Sequence, residues 1–381
     1  MSENVADCRW MRFGVVILAF WPSLIARGYD YGGGSGAPED PYLIYTPEQM
    51  NAIGLHEDDW GQRFRLMADI DLGSYSGGQF NTIGCFRGVF DGNGCAISNF
   101  TYASASRAYV GLFEWLGDDQ AQIKNVILID PVVDAEFGDH VGALVGYVGK
   151  GTVADCHVIG GTVFADKAVG GVAGSNMGGV IANCSATSEV TGRESVGGLV
   201  GMNRGKRIAN SRASGSVVGD DNIGGLVGAS YGTITNCYAD SQVTGREEVG
   251  GLVGHHGLLA KCGSLRISMP GTVSCCYSVG PVTGRTAVGG LVGANHCGDV
   301  DDCFWDVQTT GHGKTCGHQG DDDSLGTDDG GRMTDQMQTA STFLEADWDF
   351  VDETENGTDD IWWIDEAQDY PRLWWELMPE S

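Results

Sequence analysis

One hexapeptide constrains this chain more than any other feature. Val196-Gly-Gly-Leu-Val-Gly201 returns as Ile223-Gly-Gly-Leu-Val-Gly228, Val249-Gly-Gly-Leu-Val-Gly254 and Val288-Gly-Gly-Leu-Val-Gly293. Looser copies stand at Val169-Gly-Gly-Val-Ala-Gly174 and Val141-Gly-Ala-Leu-Val-Gly146, and a partial one at Val110-Gly-Leu-Phe113. The starts at 141, 169, 196, 223 and 249 are 28, 27, 27 and 26 residues apart. A unit this small cannot bury its own apolar face, so neighbouring units must stack to make a core. The next step, from 249 to 288, is 39 residues and places an insertion of about twelve residues around Leu258 to Gly271.

Each unit holds three β-like pieces, seen in one unit as the hexapeptide, Thr233-Ile-Thr-Asn-Cys-Tyr-Ala239 and Gln242-Val-Thr-Gly245. Three short strands with turns between them fit one coil of a three-sided solenoid, with coils about 4.8 Å apart. A propeller blade needs roughly 40 residues, and a leucine-rich repeat needs its asparagine-spaced leucines, so neither suits. Parallel crossovers are almost always right-handed. The expected fold is therefore all-β, a right-handed parallel β-helix of about 27-residue coils with N- and C-terminal caps. Composition agrees: glycine supplies 61 of 381 residues while 42% of the chain is hydrophobic, which suits many short strands and tight turns around a packed core and excludes disorder.

In-phase stacking makes columns of like residues. Cys156, Cys184, Cys237 and Cys303 follow their unit starts by 15, 15, 14 and 15 residues, Cys276 by 27 across the insertion, and Ser211 takes the slot 15 after Val196. Small polarizable thiols suit a tight inward position, so these cysteines are expected buried and reduced. Asn183, Asn210 and Asn236 sit one residue earlier, where side-chain amides can bond along the axis as a ladder. The pairing of Cys85, Cys95, Cys262, Cys275, Cys297 and Cys316 stays open, with a Cys297–Cys316 disulfide favoured in an oxidising compartment.

The repeated Gly198-Leu-Val-Gly201, Gly225-Leu-Val-Gly228, Gly251-Leu-Val-Gly254 and Gly290-Leu-Val-Gly293 resemble the GLUG-motif repeat over roughly residues 110 to 313. The flanks are similar to those of such proteins as well. Gly33 to Ile44, Asp69-Ile-Asp-Leu72 and Phe86 to Gly94 look like the opening of many bacterial β-helices, and Ile361 to Trp374 like the tail that closes GLUG chains. The resemblance implies a bacterial secreted or surface protein, adhesin-like, of the kind also found beside certain immunoglobulin-A peptidases. A solenoid must protect its open ends, which gives both flanks a structural task. Within the tail, Thr334 to Ala346 has a helix-like pattern with Met337, Phe343 and Leu344 on one face.

The first residues carry an apolar run, Phe13 to Phe20, too short to span a bilayer and placed like a signal-peptide core with cleavage after Ala26. Glu3 and Asp7 spoil a basic leader, and a start at Met11 would restore it. No second apolar stretch of spanning length follows. The formal charge of −29 is concentrated toward the C-terminus, where Asp299 to Ser381 hold 23 acidic residues against Lys314, Arg332 and Arg372, a net of −20. That field disfavours nucleic acid and anionic membranes as partners and favours solubility.

Catalytic signatures are weak. The eight histidines make no His-Glu-x-x-His, so the peptidase activity of some GLUG-bearing proteins does not carry over. Gly311-His-Gly-Lys-Thr315 lacks the first glycine of a phosphate-binding loop, where Gln308 stands. His296, Cys297, Cys303, His312, Cys316 and His318 could supply metal ligands, but their spacing matches no zinc pattern. Asp321 to Asp323 with Asp328 and Asp329 read as a solvated acidic loop. Arg193-Glu194, Asp220-Asp221, Arg246-Glu247-Glu248 and Arg285-Thr286 read as one solvated corner, and Trp362, Trp363, Trp374 and Trp375 as cover for the core.

The resulting expectation has a signal peptide at 1–26, an N-terminal opening and cap at 27–104, the GLUG-type solenoid at 105–313, an acidic loop at 314–332 and a C-terminal cap at 333–381. It has no catalytic, cofactor or metal residues. The function expected is a secreted or cell-surface adhesion, binding or structural module, with a surface glycan or matrix protein as partner. A polysaccharide lyase or glycoside hydrolase on the same fold is the alternative, since β-helices can set two carboxylates on one face.

Overall fold

The computed structural model describes residues 31–262, 265–319, 330–354 and 356–377. It is an all-β solenoid of about nine parallel coils. The expected export signal lies outside the described residues, as do the acidic clusters at 321–323 and 328–329. Among the described residues the stack is built on four parallel sheets, with six, nine, ten and fifteen strands, called sheets 1, 2, 3 and 4 below. One coil passes through all four in turn: Lys167–Gly170, Ala173–Asn176, Val180–Ala182, then the pair Ser185–Ala186 and Glu189–Thr191. The hexapeptide is thus two strands rather than one, bent at its second glycine and leucine.

The reason for its glycines is close backbone approach. A Cβ built on Gly198 would lie well under 3.0 Å from the Gly225 carbonyl oxygen of the next coil. The equivalent Gly171, Gly225 and Gly251 meet Gly198, Gly251 and Gly290 in the same way. The bend that lets Val196 and Leu199 both point inward starts earlier, at Ser195, whose φ is +59°. Tyr109, His140, Ala168, Ser195, Asn222, Glu248 and Ala287, each just before its hexapeptide, all share this left-handed conformation. The motif's last glycine packs on them: a Cβ on Gly201 would strike Ala168 and Val169 of the previous coil.

The insertion is an antiparallel hairpin, Leu258–Cys262 with Leu265–Met269. Before the first hexapeptide, Tyr42–Ile44, Arg63–Leu66 and Val89–Asp91 already belong to sheet 3. A helix over Pro47–Leu55, capped by Thr46 and with proline in its first turn, lies between the first two.

Cys156, Cys184, Cys237, Cys276 and Cys303 form the expected buried column. Each thiol donates to the carbonyl two residues back at 3.0–3.1 Å, and Ser211 Oγ does so at 2.7 Å. The residue between is left-handed in every coil: Asp155, Asn183, Asn210, Asn236, Cys275 and Asp302. The asparagines there answer a need for positive φ as much as a ladder. Asn236 Nδ2 does reach Asn210 Oδ1 at 3.3 Å, while Asn183 donates to Asp155 at 2.9 Å. A second amide ladder, fully buried, joins Asn176 to Asn203 at 3.1 Å and Asn203 to Ser230 at 3.2 Å, and continues in register through His256 and Asn295. Buried amides of this kind are satisfied only when coils stay in register. Cys297 and Cys316 are not bonded to each other, so the favoured disulfide is corrected. Cys316 pairs in register with Val292 and is buried, whereas Cys297 follows its strand and takes a hydrogen bond from Ser268.

The tail lies against a flank of the stack. Residues immediately after the cysteine column, His157, Ser185, Arg212, Tyr238, Tyr277 and Phe304, make one outward column of sheet 4. Met337, Phe343, Trp348, Phe350, Trp362 and Leu373 pack over its last members as a second core. The helix-like stretch is two short helices, Thr334–Met337 and Ala340–Leu344. Glu376 ties the tail down, accepting from Tyr238 Oη at 2.9 Å and pairing with Arg212 Nε at 2.7 Å. Trp375 Nε1 donates to Asn210 O at 2.9 Å and its ring stacks on His157 with centroids 5.0 Å apart.

Candidate binding face

Two columns meet at the corner between sheets 1 and 2. One is the left-handed column before each hexapeptide. The other is the third residue of each sheet 2 strand from Phe113–Leu116 onward: Trp115, Tyr147, Ser175, Met202, Ala229, His255, Ala294 and His318. The middle coils hold Ala168, Ser175, Ser195, Met202, Asn222 and Ala229 at these positions, and rings gather at both ends.

At the N-terminal end Tyr109, Trp115, His140 and Tyr147 form a four-ring cluster, all half-buried. Tyr109 and His140 stack with centroids 5.1 Å apart and planes within 6°. Trp115 and Tyr147 lie 4.3 Å apart, and Tyr109 meets both at 5.3 Å. His140 Nδ1 and Ser175 Oγ, one coil on, are 2.6 Å apart. Burial depresses the His140 imidazolium, with help from the Arg204 charge and against Asp139. Such a platform offers flat apolar faces with polar rims, the surface on which sugar rings and guanidinium groups stack.

Arg204 links the platform to the other end. Its guanidinium sits 4.8 Å over the Tyr231 ring, and its charge also reaches His140 and Tyr147. From Tyr231 the rings continue to His255 at 5.6 Å, His296 at 4.6 Å and His318 at 5.8 Å. Glu248 faces the two middle imidazoles, with Oε2 2.6 Å from His255 Nδ1 and Oε1 3.6 Å from His296 Nε2. Burial alone would raise the Glu248 pKa, but the hydrogen bond from His255 and the charge of both histidines outweigh it and hold the carboxyl at about 2.

The corner expected to be solvated divides accordingly. Arg193 pairs with Asp166 at 2.7 Å and Arg246 with Asp221 at 2.9 Å, ion pairs between successive coils at the surface. Glu248 leaves that corner for the ring line. Of the six residues weighed as a metal cluster, His296 joins Glu248 and His255 instead of the cysteines. Cys303 donates inside the core and the His312 ring faces the Val282 carbonyl at 3.0 Å. Trp362 is buried in the second core, with Trp363, Trp374 and Trp375 half-exposed around it. His296 and His318 stand among the candidate ligands of the sequence, and the adjacent His255-His256 pair just ahead of the insertion is the further signal for this end of the face. A cleft of about 170 Å³ under the tail, lined by Arg212, Tyr238, Asp240, Asp369, Arg372 and Glu376, is the seat of the Glu376 latch.

The family model described as the GLUG motif matches residues 165–191, 192–218 and 219–244, three consecutive coils of this stack. Halomucin of Haloquadratum walsbyi is 39% identical over 137 residues, 34% of this chain and 1% of that protein. A protein of Evansella cellulosilytica described as a Gly-rich membrane protein is 32% identical over 124 residues, 30% of this chain and 14% of its own length. This chain therefore spans a small part of either relative. A solved structure from Bacteroides ovatus, described as an immunoglobulin A1 protease, aligns with a TM-score of 0.50 at 21% identity, over 68% of this chain and 87% of that one, a likeness of fold alone. Among the described residues no helix is long and apolar enough to cross a membrane.

Proposed function

We propose that this GLUG-repeat β-solenoid is a secreted or cell-surface binding module without catalytic activity, which docks a glycan along the ring-lined corner. The observation that carries the reading is the Tyr109–Trp115–His140–Tyr147 platform, continued by Arg204 on Tyr231. These side chains are fixed by left-handed backbone and by coil-to-coil packing, so they are ordered before any ligand arrives. Preorganised aromatics bind with little loss of side-chain freedom, and a linear ligand can run along the coils. The names of the two relatives support a surface setting, and the apolar run ending near Ala26 supports export, with the divisions at 26, 104, 313 and 332 as its frame.

The test is a glycan and matrix-protein panel probed with the purified chain, Trp115→Ala and Tyr147→Ala. Binding to a glycan that both variants weaken at least about tenfold supports the reading. Binding unaffected by either variant, or confined to proteins, overturns it. Export is checked by mass spectrometry of the secreted chain: an N-terminus near Arg27 agrees, and an intact cytoplasmic chain from Met1 or Met11 does not.

A further inference from the structure

We propose that Glu248, His255 and His296 form a site for a divalent first-row transition cation such as zinc, which clips together the two coils on either side of the inserted hairpin. One ligand atom from each residue lies within 4.8 Å of the others. Zinc sits about 2.0–2.2 Å from imidazole nitrogen and carboxylate oxygen, so its ligands stand roughly 3.4 Å from one another. The observed separations of 2.6 Å and 3.6 Å from the two Glu248 oxygens bracket that value, and shifts of under about 1 Å would close the site.

A second observation points the same way. His296 Nε2 is buried and has no hydrogen-bond partner, because Glu248 Oε1 stops short of it at 3.6 Å. An orphaned imidazole nitrogen aimed at a half-buried carboxylate is costly unless something bridges them. Two imidazoles and one carboxylate suit zinc, copper or nickel, whereas calcium and magnesium want more oxygen ligands.

The placement gives the site a structural task. Glu248 and His255 stand in the coil that runs into the Leu258–Met269 hairpin, and His296 stands in the coil after it. Across this step the chain makes its longest excursion between hexapeptides, and ladder bonds such as His296 N to His256 O at 2.9 Å join the two coils. A cation there bonds both coils directly. Three protein ligands leave a further position for water. The inference is independent of glycan binding at the platform and stands or falls separately.

The experiment uses the full chain without a histidine tag, stripped with chelator and titrated calorimetrically with Zn²⁺. One zinc per chain is expected, with the melting temperature raised. His255→Ala and His296→Ala should each weaken binding at least about tenfold and abolish the rise. Co²⁺ should give visible absorption from a low-coordinate site in the wild type and lose it in the variants. Should circular dichroism show an alanine variant misfolded, Glu248→Gln, which keeps the side-chain shape, decides by the same tenfold criterion. Absence of stoichiometric zinc in the wild type, or equal affinity in the wild type and Glu248→Gln, would overturn the assignment.

Discussion

Replacing Gly198 with alanine adds one methyl group where the backbone of the next coil already stands. The new Cβ would lie well under 3.0 Å from the Gly225 carbonyl oxygen and 2.9 Å from Ala213 Cβ. The carbonyl cannot rotate aside, because it accepts from Gly198 N at 3.2 Å, flanked by Leu199 N to Leu226 O at 2.9 Å and Val200 N to Leu226 O at 3.1 Å. Restoring ordinary contact requires the coils to part by roughly 1 Å, which weakens two or three of these bonds at about 1 kcal/mol each. Alanine returns about 0.4–1 kcal/mol by restricting the unfolded chain. The net loss is about 1–3 kcal/mol, confined at first to neighbouring coils because each coil rests only on its neighbours. Hydrogen exchange read by mass spectrometry suits a local loss better than a melt. Amides over 196–203 and 223–230 should exchange about 5- to 150-fold faster than in the wild type. Glu189→Ala, an exposed position in the preceding coil, should leave them unchanged. Equal exchange in the two variants would refute the close-approach explanation of the motif.

Three further outcomes follow from the packing. Burial lowers the His140 pKa, so the unfolded chain takes up that proton first and stability should fall as pH drops below about 6.5; the His140 imidazole should titrate by NMR below 6.5, and a midpoint at or above it would contradict the buried stack. Burial pushes the Cys156 and Cys276 thiols well up, and the column of Cys156, Cys184, Cys237, Cys276 and Cys303 should resist thiol reagents until the chain is unfolded, whereas fast native labelling of several would count against the coil alignment. Glu376→Ala leaves Arg212 without its partner under the tail and should cost about 3 kcal/mol, seen as protease cleavage within 334–377 before the solenoid is cut; wild-type resistance would show the latch to be idle.

The coil was legible because its period, its inward valines and leucines and its cysteine slot all repeat in phase. Two other features repeat just as strictly yet hide in the sequence. The left-handed residue before each hexapeptide is Tyr, His, Ala, Ser, Asn, Glu or Ala, since the packing demands a conformation there and not a side chain. The buried amide ladder reads as Asn176, Asn203, Ser230, His256 and Asn295, a polar position two residues past each hexapeptide that looks like a turn until the coils are stacked. The ring-lined corner draws on two columns and on coils up to seven units apart, so no local window contains it. Glu248 illustrates the limit: beside Arg246 and Glu247 it reads as one more solvated charge, and only the strand register turns it toward His255 and His296. The tail was legible as apolar cover, but its place on the flank depends on Asn210, Tyr238 and Tyr277, which lie 94 to 165 residues from their partners.

The central claim, binding without turnover at the ring-lined corner, is tested most directly by recovering the ligand. A glycan captured by the panel is incubated with the wild-type chain, released and sized by chromatography and mass spectrometry. The account predicts full-length glycan with no new reducing or unsaturated ends, and no capture by Trp115→Ala with Tyr147→Ala. Shortened or unsaturated products from the wild-type chain would contradict it and make this solenoid an enzyme.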